Sequence, residues 1–128
     1  MRHVEIARRS IGVPWLHQGR DPAVGIDCVG LLVLAFEYPG PTPDYGRDPF
    51  DGLLESHLQA HFGASRTDGV RVGDVLAFAF AGAVRHVGLV GDYLYGGLSL
   101  IHTDSHLGRV TEHPLDAKWL RRVRGVYR

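Results

Sequence analysis

The chain has 128 residues, 45% of them hydrophobic and 22% charged, which fits a packed globular protein and argues against disorder. Fourteen basic and fourteen acidic side chains give a formal net charge of zero, so the basic excess typical of nucleic-acid-binding proteins is missing. One cysteine excludes an intramolecular disulfide, and we interpret residues 1–128 as a single domain.

The first predicted element is a helix over residues 2–11, since Val4, Ala7 and Ile11 recur at helical spacing. Gly12 ends this pattern, and a loop is expected from Val13 to Ile26. The N-terminus has no apolar run of the kind found in secretory signals. We therefore expect a protein made in the cytoplasm without a signal peptide.

The apolar run Cys28–Phe36 predicts a buried helix, with Asp27 as its N-cap. A buried strand is the alternative, because β-branched residues occur in the run, but its length and its cap favour a helix. The run is far shorter than the roughly 20 residues that cross a bilayer, so no membrane insertion is expected. Gly30 is interpreted as a point of close approach, most simply to the small face of a strand.

The second half of the chain changes from helical to strand periodicity. Residues 51–62 predict another helix, whereas Asp74–Phe80 alternates between two apolar faces and predicts a central strand. Further strands are predicted at His86–Gly91, Leu98–Thr103, Arg109–Glu112 and Arg122–Tyr127. Helices followed by strands indicate an α+β fold with an antiparallel sheet.

Three residues in these elements have the chemistry of a cysteine hydrolase. Cys28 begins the buried helix, where free backbone N–H groups and the helix dipole favour a thiolate. His86 and His102 lie on neighbouring predicted strands, so one imidazole can act as base while the other fixes its tautomer. The alternative is an inert core cysteine with two unrelated histidines.

Five segments resemble, in order, the motifs of the NlpC family of papain-like cell-wall cysteine peptidases. Gly25-Ile26-Asp27-Cys28-Val29-Gly30-Leu31 is similar to the nucleophile motif, and His86-Val87-Gly88-Leu89-Val90-Gly91 to the motif of the base. The other three segments are Val13–Arg20, Val72–Phe78 and Leu100–His102. The short form without accessory domains looks most like the branch associated with tails of phages and gene transfer agents.

The resemblance implies a papain-like α+β fold in which the Cys28 helix packs on an antiparallel sheet. Cys28 is then the nucleophile, His86 the general base and acid, and His102 the orienting residue. The expected substrate is a peptidoglycan stem peptide, cut between D-γ-glutamate and diaminopimelate without a metal or other cofactor. Tail-tip proteins are the expected partners, and the periplasm or cell wall is the expected place of action. A catalytically silent docking subunit of a tail tip is the alternative.

Substrate contacts are assigned to residues around the predicted cleft: Trp15, His17, Asp27, Tyr45 and Asp104. Asp104 also fits a turn or an acceptor close to the histidines. Two positions depart from the family pattern, because Trp15 stands where a tyrosine is common and Val29 where a serine is common. Neither change is expected to abolish activity.

Two other patterns each have a functional interpretation and a simpler interpretation as surface residues. His57 and His61 have the spacing of a metal pair on a helix, although a solvated helix face is the favoured interpretation. Five basic side chains lie between Lys118 and Arg128. They fit either the protected edge of a sheet or a surface that contacts anionic cell-wall polymer or a virion protein.

Overall fold

The computed structural model describes residues 1–40 and 52–128. The helices are α1 (Arg2–Arg9), α2 (Cys28–Phe36), α3 (Leu53–Phe62) and α4 (Ala117–Leu120). The strands are β1 (Arg20–Asp21), β2 (Gly25–Ile26), β3 (Val75–Phe80), β4 (Ala83–Asp92), β5 (Leu98–His102), β6 (Thr111–Pro114) and β7 (Val123–Tyr127). Within these residues, no helix is both long enough and apolar enough to cross a membrane.

Five strands form one antiparallel sheet in the order β6-β5-β4-β3-β7, and β1 pairs with β2 in a separate hairpin. The α+β prediction is therefore confirmed. β3 lies between β4 and β7, and all of its residues except Phe80 are buried, as expected for an interior strand. Its register shifts next to Phe78, opposite the stretch of β4 that carries His86.

Alternation along β3 divides the core into two layers. Val75 and Ala77 face the helices α1, α2 and α3, whereas Leu76 and Phe78 face the opposite side with α4. The helix layer holds most of the buried apolar residues, including Leu31 and others of α2. The sheet is thus covered on both sides, and α2 is the helix that carries the candidate nucleophile.

α2 begins where the sequence predicts, because Asp27 accepts a hydrogen bond from the Gly30 N–H at 2.8 Å. Gly30 is a point of close approach, but its neighbour is different from the one expected. A Cβ at Gly30 would collide with the carbonyl oxygen of Gly19, which lies in the preceding loop and not in a strand. The helix is therefore fitted against the segment that leads into it.

Three further expectations need correction. α1 ends at Arg9, and Ile11 is 46% exposed, because the Ser10 N–H bonds back to Ala7 and a left-handed Gly12 redirects the chain. The predicted loop from Val13 to Ile26 contains the β1–β2 hairpin. α4 was not predicted at all, and its four residues are too few for a periodic pattern.

Candidate active site

Cys28 is half-buried at the first position of α2. The backbone N–H groups of Val29 and Val87 lie where they can donate to its sulfur, and they lower the pKa of the thiol. Val87 belongs to β4 and directly follows His86 in the chain. The contact with Val87 therefore brings the helix start to the part of the sheet that carries the first imidazole.

His86 and His102 are buried and joined by a hydrogen bond of 2.8 Å between Nε2 of His86 and Nδ1 of His102. Leu89 pairs with Ile101, and this register puts His102 opposite Gly88. A Cβ at Gly88 would lie 3.1 Å from the Cβ of His102 and 2.6 Å from Leu100 Cδ1. The glycine therefore leaves room for the second imidazole.

A third imidazole continues this pair, and the sequence analysis did not identify it. Nε2 of His113 lies 2.6 Å from Nε2 of His102, and Nδ1 of His113 lies 2.9 Å from the carbonyl oxygen of Pro114. His113 is diagonal to His102 across the β5–β6 ladder, because Thr111 is the direct partner of His102. The strand predicted from the sequence at this place ends at Glu112, one residue before His113, so His113 was not considered as part of the sheet.

Trp119 of α4 packs against all three imidazoles. Its ring centroid is 5.9 Å from that of His86, 4.7 Å from that of His102 and 5.8 Å from that of His113. The contact with His102 is edge-on, at an interplanar angle of 79°. Trp119 was also missed, because it lies on the helix that the sequence did not predict. Its indole excludes water from one side of the histidine row.

Burial dominates the electrostatics of the site. It raises the pKa of the Cys28 thiol to about 12, and the Asp27 carboxylate adds to this effect. The Val87 and Val29 N–H groups only partly offset the rise in that pKa. The Val29 N–H at the helix start lowers the thiol pKa, as expected from the sequence, but desolvation has the larger effect on that pKa.

The two buried imidazoles are neutral for the same reason. Burial lowers the pKa of His86 to about 4, although the Asp104 carboxylate raises it somewhat. Burial, and then the neighbouring His86 and His113 charges, lower the pKa of His102 to about 2. The resting site therefore combines a thiol with uncharged histidines.

Asp27 holds the segment before α2 in place. Besides Gly30, its carboxylate accepts hydrogen bonds from the Gln18 N–H at 2.9 Å and from Arg20 Nη1 at 3.0 Å. The Asp27 side chain is only 7% exposed, so these donors are needed to compensate for burying its charge. The structure thus gives Asp27 a cap and an anchoring role directly beside Cys28.

Asp104 lies near the histidine pair and also closes a turn. Its carboxylate accepts the Leu107 N–H at 2.7 Å. Ligand atoms of His86, His102 and Asp104 all lie within 4.8 Å of one another, so these residues could hold a metal ion. Both ring nitrogens of His102 already make hydrogen bonds, to His86 and to His113, so a metal ion bound to His102 would replace one of these bonds.

The other residues singled out in the sequence fall into three groups. Trp15 and His17 are half-buried near each other, with ring centroids 6.5 Å apart, in the segment that leads to Asp27. Tyr45 lies outside the described residues. His57 and His61 both contact Tyr38, whose hydroxyl lies 2.6 Å from His57 Nε2 and whose ring stacks on His61. His61 is exposed, as a solvated helix face predicts, whereas His57 is half-buried against Tyr38.

No protein-family model and no curated protein matches this chain. Several solved structures share its fold, and two of them are compared with it. One is a protein from Staphylococcus aureus subsp. aureus Mu50 described as similar to lipoprotein, NLP/P60 family, with a TM-score of 0.62 and 20% identity. The other is the NlpC/p60 domain of the peptidoglycan hydrolase SagA, with a TM-score of 0.62 and 21% identity.

Each match covers 99% of this chain. The chain spans 40% of the staphylococcal protein and 96% of the SagA domain. These likenesses show that the chain has the papain-like fold of NlpC/p60 domains.

Proposed function

We propose that this protein is a cysteine endopeptidase that hydrolyses amide bonds in peptidoglycan stem peptides. The observation that carries the proposal is the hydrogen-bonded pair of His86 and His102 at the β4 segment whose backbone N–H can donate to the sulfur of Cys28. A fold shared with the NlpC/p60 domain of a peptidoglycan hydrolase supports the same substrate class.

The first chemical step is attack by the sulfur of Cys28 on the carbonyl carbon of the scissile amide. The hydrogen bond to His102 occupies Nε2 of His86, which leaves Nδ1 as the nitrogen that takes the thiol proton. Burial disfavours the thiolate and the imidazolium separately, but their mutual attraction stabilises the two charges when they form together. Proton transfer therefore accompanies attack, and the backbone N–H at the helix start binds the developing oxyanion.

The second step breaks the carbon–nitrogen bond of the substrate. Nδ1 of His86 returns its proton to the leaving amine, and the acyl group stays on Cys28 as a thioester. Water then attacks the thioester while His86 accepts one of its protons. His86 gives this proton to the departing sulfur, which restores the thiol and the neutral imidazole, and the new carboxylic acid releases its remaining proton to solvent as a carboxylate forms.

The first prediction is that Cys28→Ala and His86→Ala each lower release of muropeptides from purified sacculi by about a thousandfold or more. Each variant lacks a group that takes part in the chemical step, so we expect kcat to fall. Mass spectrometry of the released fragments measures it. The exposed His106 provides the matched control, since His106→Ala is expected to keep full activity. Undiminished release by the Cys28→Ala protein would remove the mechanism.

The D-γ-glutamyl-diaminopimelate bond is the proposed cleavage site, and a phage or phage-like tail is the proposed setting. The family resemblance of the sequence supports both. The masses of the fragments identify the bond, because cleavage there leaves a peptide that begins with diaminopimelate. Fragments that all keep this linkage would exclude the bond while leaving the peptidase chemistry intact.

A docking subunit that has kept the fold without activity is the alternative. Slow alkylation of Cys28 does not distinguish the two, because burial raises the thiol pKa to about 12 and slows the reaction in either case. Intact-protein mass spectrometry does distinguish them. An enzyme shows an acyl adduct on Cys28 during turnover, whereas a docking subunit stays unmodified.

The cluster of His86, His102 and Asp104 also favours one other candidate, a metal-dependent hydrolase. Dialysis against a chelator separates it from the cysteine mechanism. We expect sacculus hydrolysis to survive chelation, and loss of activity that zinc restores would favour the metal instead.

A further inference from the structure

The row of imidazoles ends on a group that can only accept a hydrogen bond. His86, His102 and His113 form successive contacts of 2.8 and 2.6 Å, and the last ring contacts the Pro114 carbonyl oxygen at 2.9 Å. A carbonyl oxygen has no proton to donate. This end point assigns a direction to every other bond in the row.

The direction follows ring by ring for neutral histidines. Nδ1 of His113 must donate to Pro114, so Nε2 of His113 carries a lone pair and accepts from Nε2–H of His102. Nδ1 of His102 is then an acceptor and receives Nε2–H of His86. The last unprotonated nitrogen is Nδ1 of His86.

The pair of His86 and His102 does not set this direction by itself. Two neutral imidazoles can exchange donor and acceptor roles across one hydrogen bond, and the reversed pair puts the proton on Nδ1 of His86. In that form, Nδ1 cannot take a proton from the thiol. An acceptor on the far side of His102 is therefore required to select the active tautomer.

We propose that His113 is a positioning residue that fixes the tautomer of His86 through His102, so that Nδ1 of His86 is the base for Cys28. The inference rests on the proposed function for its catalytic meaning, although the tautomer itself is a property of the resting protein. Burial of His86 and His102 and the cover provided by Trp119 limit competition from water for these bonds.

Two substitutions separate the acceptor from the mere volume of the ring. His113→Gln keeps a side-chain oxygen that can accept from His102, whereas His113→Leu fills similar space without any acceptor. The uniformly ¹⁵N-labelled 14.1 kDa protein is recorded at about pH 8, above the ordinary imidazole pKa of about 6.5. Long-range ¹H–¹⁵N correlations then report which nitrogen of His86 carries the proton.

We expect the proton on Nε2 of His86 in the unmodified protein and in His113→Gln. In His113→Leu, we expect a mixture of both tautomers and a kcat/KM for a stem-peptide substrate that falls by about tenfold or more, since a wrong tautomer disables the base. The glutamine variant is expected to restore most of that loss. Rescue by an acceptor distinguishes positioning from simple packing.

A proton on Nδ1 of His86 in the unmodified protein overturns the inference, even if the leucine variant fails to fold. So does a leucine variant that folds and keeps both the tautomer and the kcat/KM of the unmodified protein. Failure of the proposed function is seen separately. If the protein shows the expected tautomers but cleaves no peptide, the inference about His113 is supported and only the proposed enzyme activity is rejected.

Discussion

At the scale of single residues, burial decides the state of the site more than sequence position does. The start of α2 offers Cys28 backbone N–H groups, and this was visible in the sequence. The packing that raises the thiol pKa comes from strands about sixty residues later in the chain, so it could not be read from the local pattern. The same holds for His86 and His102, whose uncharged state depends on their burial in the folded sheet.

The hydroxyl groups of Ser99 and Thr103 are both buried but differ in their hydrogen bonding. Ser99 Oγ donates to Glu112 at 2.6 Å, whereas Thr103 Oγ1 has no hydrogen-bond partner among the described residues. We expect Ser99→Ala to lower the free energy of unfolding by about 1–3 kcal/mol and Thr103→Val to leave it unchanged or raise it slightly. Urea denaturation measures both. An equal loss in the two variants would show that the Thr103 hydroxyl also has a partner.

At the scale of elements, the sequence predicted those that are long or strongly patterned. α2 and the interior strand β3 were found because each combines a clear apolar pattern with a clear start. The β1–β2 hairpin and α4 were missed, since elements of two and four residues carry no measurable period. His113 and Trp119 were lost with the misplaced end of β6 and with α4, so the site was predicted only in part.

One ion-pair network joins α1 to the far edge of the sheet. Arg8 contacts the carboxylate of Glu112 through Nε at 3.1 Å and Nη2 at 2.9 Å, and the Asp92 carboxylate at 3.0 Å. Burial acts to raise the pKa of Glu112, but the hydrogen bonds from Arg8 and Ser99 bring it below its ordinary value of 4.5. Glu112 therefore stabilises the fold as a carboxylate.

This network predicts that Glu112→Gln lowers the free energy of unfolding by an amount that depends on pH. The folded pKa of Glu112 is depressed, so its contribution is complete above pH 4.5 and disappears as the pH falls through the lower folded value. We expect the variant to lose about 1–3 kcal/mol of unfolding free energy at neutral pH and less at acidic pH. Urea denaturation at several pH values tests this. A loss that does not shrink in acid would contradict the assigned charge.

At the scale of the whole molecule, a net charge of zero hides an uneven distribution. Lys118, Arg121, Arg122 and Arg124 line one shallow cavity beside the β3–β4 turn. Arg128 is not part of this surface, because it pairs with the buried Asp74 at 2.7 Å. In the basic C-terminal segment, Arg128 thus stabilises the fold, whereas the four residues that line the cavity form a local positive patch.

The patch predicts salt-sensitive attachment to an anionic wall. We expect the double variant Lys118→Glu, Arg121→Glu to bind sacculi several-fold more weakly at low salt, with the difference vanishing as salt screens the charges over about 10 Å or less. Co-sedimentation measures the bound fraction. The double variant Arg9→Glu, Arg109→Glu is the matched control, because it changes the net charge by the same amount and both residues are exposed and do not line this cavity. Equal weakening by both would indicate a general charge effect.

The Pro114 carbonyl at the end of the imidazole row gives the site an unusual kind of robustness. The oxygen belongs to the peptide backbone, so every amino acid at position 114 supplies it, and no point substitution there deletes the atom itself. Sliding β6 by one residue along β5, in contrast, would turn the His113 side chain to the other face. The tautomer inferred for His86 therefore depends on the alignment of β6 with β5, and a comparison of side chains at position 114 would not reveal it.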